Sequence, residues 1–520
     1  MTLRSWRPSR VALLLTGCAF LYAWFIHFWP TFHAANESIR LYFVQAVVDH
    51  GSAEVDPVIE RYGMRNIDRA EYGGHTYLDK APGLSLVVIP AYAVLTGAFN
   101  MSTDFVDLPR LYYLLLLLGV VIPALLGIYW TYRLTLDWTG NVEAALAAST
   151  ILAVATPYAL YATLFFGHTP AAAAAIGALW FAGRRDPSTN RFAIAGALGG
   201  FAVLLDTAVA PLIMAIAIAT VWRTREPRDL VTFVIGGLPF AIVQLGYNTL
   251  LFDDPFTFAY AHKATSEFAD IHSQGVYGMG LPTWEAMFGL LFSPQRGLFT
   301  HAPVLLLGVL VSRKDRNSLM LTGLTLLYFV WISGFGDWRA GSSYGPRHLI
   351  PIMPLLAVGV GLSLHRFWEH ARSRLGLAEV AAALAVVSVA ATWLMIATFP
   401  YAPEAFDVPV LQLALPMALD HHFSPNLGRS VGLSEAASVV PVLLALLGFG
   451  LLVRRWWIGM LLGVLATLTI IALGPPASKD AITQRCLIEC LVDHPERGKS
   501  LCAEHGGRWS DRACHCRLPQ

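Results

Sequence analysis

The chain has few charged residues. Only 14% of its 520 residues are Asp, Glu, Lys or Arg, whereas an ordinary soluble domain carries about 25%. Hydrophobic residues make up 56%, which is more than the core of a soluble domain of this size can bury. The formal net charge is +1, and no basic stripe or nucleic-acid motif interrupts the apolar runs. The composition therefore argues against a nucleic-acid-binding protein and predicts an all-α protein that crosses a membrane many times.

Long apolar runs take the place of the missing charge. Most of them approach or reach the roughly 17–25 residues that a helix needs to cross a hydrocarbon layer about 30 Å thick. The first run follows Arg4, Arg7 and Arg10, is too long for a signal peptide, and lacks a small-residue cleavage site, so we interpret it as a retained helix with a cytoplasmic N-terminus. The runs lie near 11–30, 82–99, 109–132, 142–163, 169–183, 192–205, 208–222, 229–251, 301–312, 318–335, 348–365, 376–399, 434–453 and 456–474.

The segment 82–99 decides the predicted orientation. It contains two prolines and two glycines and directly follows a charged stretch. If it does not span, the basic loops all lie in the cytoplasm, at 184–191, 223–228, 313–316, 366–374 and 454–455. If it spans, all of these loops are external, against the usual bias. We therefore predict about thirteen spanning helices, with 82–99 as an external juxtamembrane or re-entrant helix.

This topology divides the chain into five parts. It also places the residues that could do chemistry in the external loops. The parts are a first transmembrane helix at 1–30, an external first loop with juxtamembrane helices at 31–108, a transmembrane module with external loops at 109–365, C-terminal transmembrane helices at 366–475, and an external Cys-rich cap at 476–520.

Cysteine is scarce outside the C-terminal tail. Five of the six cysteines lie after position 475, and disulfides form in oxidising compartments, which agrees with an external tail. We predict that a helical C-x-x-x-C pair faces a C-x-C pair on a strand, so that two bridges staple a helix to a hairpin. Cys502 is then free or paired elsewhere, because connectivity cannot be read from sequence. A metal knuckle using His505 or His515 is the alternative. The predicted bridging cysteines are Cys486, Cys490, Cys514 and Cys516.

The first external loop carries an acid and a lysine that could do chemistry. Apolar residues recur at helical spacing up to Gly51 and predict an amphipathic helix on the membrane surface, capped by Asn36 or Ser38. Glu37 lies in its first turn, where the helix dipole favours a carboxylate, and either completes the cap or acts as a base. Lys80 lies in the turn before 82–99, as a phosphate-binding charge or as an interfacial anchor.

These features resemble the GT-C glycosyltransferases. The first loop is similar to that of protein O-mannosyltransferases and of the aminoarabinose transferases that modify lipid A. The shared features are an acid after the first helix, an amphipathic helix and the Tyr-x-x-Lys-x-Pro turn at 77–82. The segments 247–248, 292–299 and 344–351 are similar to loops of bacterial membrane proteins of that family. The resemblance covers 1–350 and implies a GT-C-like bundle that takes sugar from a polyprenyl-phosphate donor at the external face.

One turn departs from the family pattern. Relatives typically carry a second acid before a proline in the next external turn, where this chain has His168 before Thr169 and Pro170. The resemblance therefore does not carry a two-carboxylate arrangement, or a metal site built on one, to this chain. We expect no metal and no other cofactor, since the lipid-linked sugar is a substrate.

The resemblance and the residues together imply an inverting transfer of a sugar to an acceptor hydroxyl. Glu37 is the predicted general base, and cations neutralise the departing polyprenyl phosphate. Asp206 is interpreted as a helix cap, and Asp337 either as part of a local ion pair or as a site residue. The predicted phosphate-binding residues are Lys80, Arg296, Arg339 and Arg347. The predicted substrate-binding residues are Asn36, Arg40, Tyr77, His168, Tyr344 and His348. The alternative for the two histidines is a structural hydrogen-bonding role.

Two other classes stay open. A secondary transporter or lipid flippase also needs many helices, but usually places ionisable residues or broken helices near the bilayer midplane, where this chain has almost no charge. A polyprenyl-linked glycan ligase commonly uses diphosphate donors and concentrates its charges in one large late loop. The predicted partners are a polyprenyl-phosphate sugar donor, a glycan, lipid or protein acceptor, and the bilayer of a bacterial-type inner membrane, without nucleic acid.

Overall fold

A computed structural model describes most of the chain. The described residues are 9–28, 34–62, 68–104, 108–184, 190–310, 315–370, 376–452, 456–492, 494–511 and 514–519. Parts of the basic loops on which the predicted orientation rests lie outside these residues, at 185–189, 313–314, 371–374 and 454–455.

The N-terminal part joins a helix to a small hairpin. Ser9 caps the first helix, since its hydroxyl oxygen accepts the Ala12 N–H at 3.3 Å. In the hairpin, Gly73 and Gly74 both have positive φ (61° and 87°), which a two-residue turn between antiparallel strands requires. The elements are α1 (Arg10–Trp24), α2 (Ala35–Asp49), α3 (Asp56–Tyr62), β1 (Arg69–Tyr72), β2 (His75–Leu78) and α4 (Gly83–Gly97).

Helix α2 is buried in protein and does not lie on a lipid surface. All its residues from Asn36 to Ala46 are buried, and the Ser85 hydroxyl of α4 donates to the Arg40 carbonyl at 3.1 Å. Its N-cap position is Ala34, without a side-chain hydrogen bond. The predicted surface location of this helix is wrong because it packs on both sides, and the predicted cap by Asn36 or Ser38 is wrong as well.

The central helices form a closely packed bundle. Helices α10 and α12 meet backbone to backbone, since a Cβ on Gly196 would lie 1.7 Å from the Phe233 carbonyl oxygen. The elements are α5 (Leu108–Leu116), which a π-turn joins to α6 (Ile122–Thr139), α7 (Val142–Val154), α8 (Pro157–Tyr161), α9 (His168–Gly183), α10 (Asn190–Leu205), α11 (Ala210–Thr224) and α12 (Pro227–Phe252).

The following segment alternates short helices with long ones. A 3-10 turn at Ala259–His262 lies beside β1, and another at Arg347–Ile352 leads into α18. The elements are α13 (Ser266–Ser273), α14 (Trp284–Phe292), α15 (Leu298–His301), α16 (Leu306–Val309), α17 (Arg316–Ile332), α18 (Met353–His370), α19 (Gly376–Ala397), α20 (Leu415–Leu419), α21 (Leu427–Ser430), α22 (Glu435–Leu452) and α23 (Trp457–Ala472).

Several helices are long and apolar enough to cross a membrane. Within the described residues there are five such stretches, and further apolar helices are shorter. The predicted total of about thirteen spans, and the predicted external position of 82–99, stay predictions. The five stretches are Leu108–Thr139, Thr207–Thr224, Pro227–Phe252, Arg347–Trp368 and Gly376–Ala397.

The C-terminal tail folds as a small disulfide-linked cap. It consists of α24 (Lys479–Leu491), α25 (Pro495–Glu504), β3 (Arg508–Ser510) and β4 (His515–Arg517). The bridges are Cys490–Cys514 and Cys502–Cys516, with Cα–Cα distances of 5.9 and 5.6 Å. A disulfide staple between helix and hairpin is confirmed, but α24 and α25 each supply one bridge, so the prediction of two bridges from one helix is wrong and Cys486 is a buried free thiol. The prediction chose Cys486 because it did not foresee that α25 would bring Cys502 to the hairpin.

We expect Cys502→Ser to destabilise the cap by about 3 kcal/mol, since its bridge closes a loop of about 15 residues. Cys486→Ser is the matched control, because it removes a cysteine outside both bridges and costs less. Thermal melting of the two variants, together with peptide mapping of the unreduced protein, measures this. A disulfide-linked peptide that contains Cys486 contradicts the pairing.

Candidate active site

A cavity of about 610 Å³ lies where the first loop meets the loops around α9, α11 and α18. Its wall combines residues from distant parts of the sequence, so the cavity exists only in the folded chain. Six of the residues predicted from sequence to bind phosphate or substrate line it: Asn36, Arg40, Lys80, His168, Arg347 and His348.

Arg296 has a structural role. Its side chain is 1% exposed, and its guanidinium donates to backbone carbonyl oxygens of the loop 339–343, including Arg339 at 2.7 Å and Gly341 at 2.6 Å. It also reaches the Ala402 carbonyl at 3.1 Å and so joins two loops. The prediction that Arg296 binds phosphate is corrected, because carbonyl oxygens already occupy its donors away from the cavity.

Three more predicted site residues lie away from the cavity wall. Arg339 is exposed and pairs with Glu285 at 2.8 Å, so the suggested local pair with Asp337 is also wrong. Tyr344 is fully buried, with its ring 4.6 Å from that of His301. Tyr77 is buried in the hairpin against Phe252. The predictions for Arg339, Tyr344 and Tyr77 are corrected, because these side chains make packing or surface contacts.

Glu37 lies one side chain behind the cavity. Its Oε1 accepts hydrogen bonds from the Tyr112 hydroxyl at 2.5 Å and the Phe165 N–H at 2.6 Å. Its Oε2 accepts one from the Tyr401 hydroxyl, and Tyr401 itself lines the cavity. Burial raises the pKa of Glu37 despite these donors. The prediction that Glu37 is the general base stays a prediction, and in this structure Tyr401 stands between the carboxylate and the cavity.

A cluster of lysines and aspartates forms one side of the cavity. Lys80 pairs with Asp68 and Asp79, each at 3.1 Å, and Lys263 pairs with the same Asp79. Burial acts to raise the pKa of Asp79, but the two lysines outweigh it and lower that pKa to about 2. Burial acts to lower the pKa of Lys80, yet both aspartates raise it overall. Lys80 is therefore a positive charge held in place beside the cavity.

Lys263 and Asp68 were not predicted from the sequence as site residues. Lys263 comes from the loop after α12, which attaches to the first-loop hairpin because the Ala264 N–H donates to the Arg69 carbonyl at 3.1 Å. No motif surrounds either residue. The only signal was that Lys263 lies in a loop predicted to be external.

Arg347 presents a guanidinium to the cavity. Its Nε is buried and has no hydrogen-bond partner among the described residues. The guanidinium carbon lies 5.9 Å from the centre of the Phe166 ring. Asp337 also lines the cavity; its Oδ1 accepts the Ala340 N–H at 3.1 Å. Burial raises the pKa of Asp337, and the positive charge of Arg347 opposes that shift.

His168 and Asp206 form a pair in the wall of the cavity. His168 Nδ1 lies 2.6 Å from Asp206 Oδ2, and the rings of His168 and His348 are 5.5 Å apart. Asp206 Oδ1 accepts the Ala208 N–H at 3.2 Å, so the predicted cap is confirmed. Burial acts to raise the pKa of Asp206, but His168 outweighs it and the pKa is about 2. Asp206 therefore serves two partners at once.

One possible ligand group for a metal among the described residues lies where the cap meets the loop after α20. Ligand atoms of Asp420, His422 and Glu489 lie within 4.8 Å of one another. Arg485 bonds both carboxylates, with Asp420 at 2.5 Å and Glu489 at 3.2 Å, and Arg497 also reaches Asp420. These arginines already neutralise the acids. We interpret the group as an ion-pair network that attaches the cap to the loop after α20.

The overall fold of the chain is similar to that of solved structures. The chain is similar to ArnT from Cupriavidus metallidurans in the apo state, with 16% identity over 95% of this chain and 79% of that one, at a TM-score of 0.50. ArnT from the same organism bound to undecaprenyl phosphate is 15% identical over 95% of this chain and 80% of that one, at a TM-score of 0.50. This is a GT-C fold. The predicted resemblance is confirmed at the level of the fold.

Sequence comparison adds nothing to this result. No protein-family model matches the chain, and no curated protein matches it.

A third solved structure is less similar. The archaeal oligosaccharyltransferase AglB from Archaeoglobus fulgidus, in complex with an inhibitory peptide and a dolichol-phosphate, is 12% identical over 74% of this chain and 54% of that one. Its TM-score is 0.39, and we draw nothing from it.

Proposed function

We propose that this chain transfers a sugar from a polyprenyl-phosphate donor to an acceptor hydroxyl in the cavity, at the external face of a bacterial-type inner membrane. The observation that carries the proposal is Arg347, a half-buried residue of the cavity wall whose Nε is buried without a hydrogen-bond partner and which has no carboxylate paired to it among the described residues. A partly desolvated cation without a paired anion is unfavourable, and an anionic ligand would compensate it. A related fold has been solved with undecaprenyl phosphate bound, which supports a lipid phosphate as that ligand.

Of the other cations of the cavity, the two lysines are paired with aspartates, and Arg40 keeps its charge but is held by hydrogen bonds to neutral oxygens. Lys80 and Lys263 share Asp68 and Asp79, and Arg40 donates to the Asn36 side chain at 3.0 Å and to the Ala81 carbonyl at 2.9 Å. These side chains are held in place and contribute to the electrostatic potential of the cavity, but their hydrogen-bond donors are already engaged. We assign Arg347 to contact the phosphate directly, with Lys80 beside it, because an Arg fork matches phosphate oxygens in a bidentate way.

The reaction is an inverting displacement at the anomeric carbon. The acceptor oxygen forms a bond to that carbon while the bond from carbon to the phosphate oxygen breaks. The electron pair goes to the phosphate, which gains negative charge as it departs. Arg347 and Lys80 stabilise that charge, and preorganised stabilisation of this kind is usually the largest single contribution to catalysis. A base must also take the hydroxyl proton.

The donor is held mainly by its lipid. Each methylene of a polyprenyl tail buried in the bilayer contributes about 0.8 kcal/mol, so only the headgroup needs polar recognition. This division agrees with a chain whose helices carry exposed apolar side chains while its polar residues converge on the cavity.

A transfer assay with purified protein tests the proposal. The protein is incubated with acceptors and with a panel of polyprenyl-monophosphate sugars, polyprenyl-diphosphate sugars and nucleotide sugars. We expect transfer from a monophosphate donor and none from a nucleotide sugar. Transfer from diphosphate donors alone indicates a glycan ligase. If donor lipid only moves between leaflets of proteoliposomes, without a new glycosidic bond, the protein is a flippase and the proposal is wrong.

A further inference from the structure

The cavity holds a histidine whose orientation is set by a buried carboxylate. The short contact between His168 Nδ1 and Asp206 Oδ2, at 2.6 Å, favours the tautomer with the proton on Nδ1. The other ring nitrogen, Nε2, is then an acceptor. His168 lines the cavity, and no described residue hydrogen-bonds its Nε2. This arrangement is the one that a histidine general base needs.

Asp206 is itself rigidly placed. Its Oδ1 caps the 3-10 turn at Thr207–Val209 through the Ala208 N–H, while Oδ2 faces His168. The chain is tight here, since a Cβ on Gly167 would lie 2.3 Å from the Leu205 carbonyl oxygen. The start of α9 and the end of α10 are therefore in close backbone contact. His168 and Asp206 cannot separate unless both helices move.

We propose that His168 is the general base for the acceptor hydroxyl and that Asp206 is its positioning residue. This inference rests on the proposed function. Nε2 takes the hydroxyl proton as the acceptor oxygen bonds to the anomeric carbon and the phosphate leaves. The resulting imidazolium is stabilised by Asp206 and later returns the proton to water. Atoms and charge balance without any further reactant.

The position of Glu37 supports this assignment. Its carboxylate accepts hydrogen bonds from Tyr112, Phe165 and Tyr401, and Tyr401 separates it from the cavity. Direct proton transfer to Glu37 needs Tyr401 to move, whereas His168 is already at the wall.

Other charged groups also face the imidazole. Arg347 and His348 approach it from the turn before α18, and Arg40 from α2. Burial is the main influence that lowers the pKa of His168, the positive charges of Arg347 and Arg40 lower it further, and Asp206 raises it. The pH dependence of the rate therefore reports the balance between Asp206 and these cations.

The test compares His168→Gln, Asp206→Asn and Glu37→Gln in the transfer assay across pH. We expect His168→Gln to lower kcat about 10²–10⁴-fold, to change the KM for the donor little, and to abolish the acidic limb of the pH profile. Asp206→Asn keeps the cap through its one amide oxygen, so its NH2 group faces His168 Nδ1 and favours the tautomer with the proton on Nε2, which lowers kcat. It removes the charge that stabilises imidazolium, so the His168 pKa falls and the acidic limb moves to lower pH.

The outcomes separate the two proposals. If wild-type protein transfers no sugar, the proposed function fails. If wild type transfers sugar and His168→Gln keeps its rate and acidic limb, the base is wrongly assigned, and loss of that limb in Glu37→Gln alone assigns the base to Glu37. Should His168→Gln fail to fold, the Asp206→Asn profile decides: an unshifted acidic limb means that the pair is only structural.

Discussion

Replacing Arg347 by Gln is expected to lower the rate of sugar transfer about 10²–10³-fold, the usual effect of removing one preorganised group that stabilises developing charge. The variant loses the cation whose Nε is buried at the cavity without a hydrogen-bond partner among the described residues. Its thermal stability should stay close to wild type, because no ion pair within the described part of the chain is broken. Initial rates with a polyprenyl-monophosphate sugar measure the effect.

Arg339→Gln is the matched control for this prediction. Arg339 lies in the same loop segment and was also predicted from sequence to bind phosphate, but it is exposed and pairs with Glu285. Exposed pairs contribute about 0–1 kcal/mol, so this variant should keep both its rate and its stability. Equal losses of activity in the two variants would show that a general change of surface charge, rather than contact with phosphate, is responsible.

Replacing Arg296 by Gln is expected to destabilise the protein by about 4 kcal/mol or more, because several buried carbonyl oxygens lose their donor at once. These oxygens belong to loop residues that include Gly341, Ser343 and Ala402. Arg296→Lys should fail to restore stability, since an ammonium cannot reproduce the planar fork. The apparent melting temperature in detergent, measured for both variants, checks this.

The contrast between the two arginines is itself informative. Replacing a residue that binds phosphate lowers activity with little change in melting temperature, as expected for Arg347. Replacing a structural residue lowers the melting temperature first. If Arg296→Gln melts like wild type while transfer falls, then Arg296 acts on substrate and its structural assignment is wrong.

The sequence placed several residues correctly at the cavity without showing how they meet. Lys80 was recognised because a lysine in a turn next to an apolar segment suits a phosphate, and His168 because the turn departed from its family pattern. Arg296 and Arg339 looked equivalent to Arg347, since all three are arginines in loops predicted to be external. Only the path of the loop 339–343 decides that Arg296 is enclosed by carbonyl oxygens while Arg347 reaches the cavity.

Composition alone determined that the chain is a multi-helical membrane protein, because burying so many apolar residues demands a hydrocarbon solvent and each helix satisfies its own backbone. The first-loop motif determined the resemblance to GT-C proteins, because a lysine turn and an acid are local features. Tertiary structure decided which charges are free and which are paired. It brought Asp206 to His168, Lys263 to Asp79 and Cys502 to Cys516 across long stretches of chain. Contacts of this kind depend on how helices pack, and no local pattern of residues encodes them.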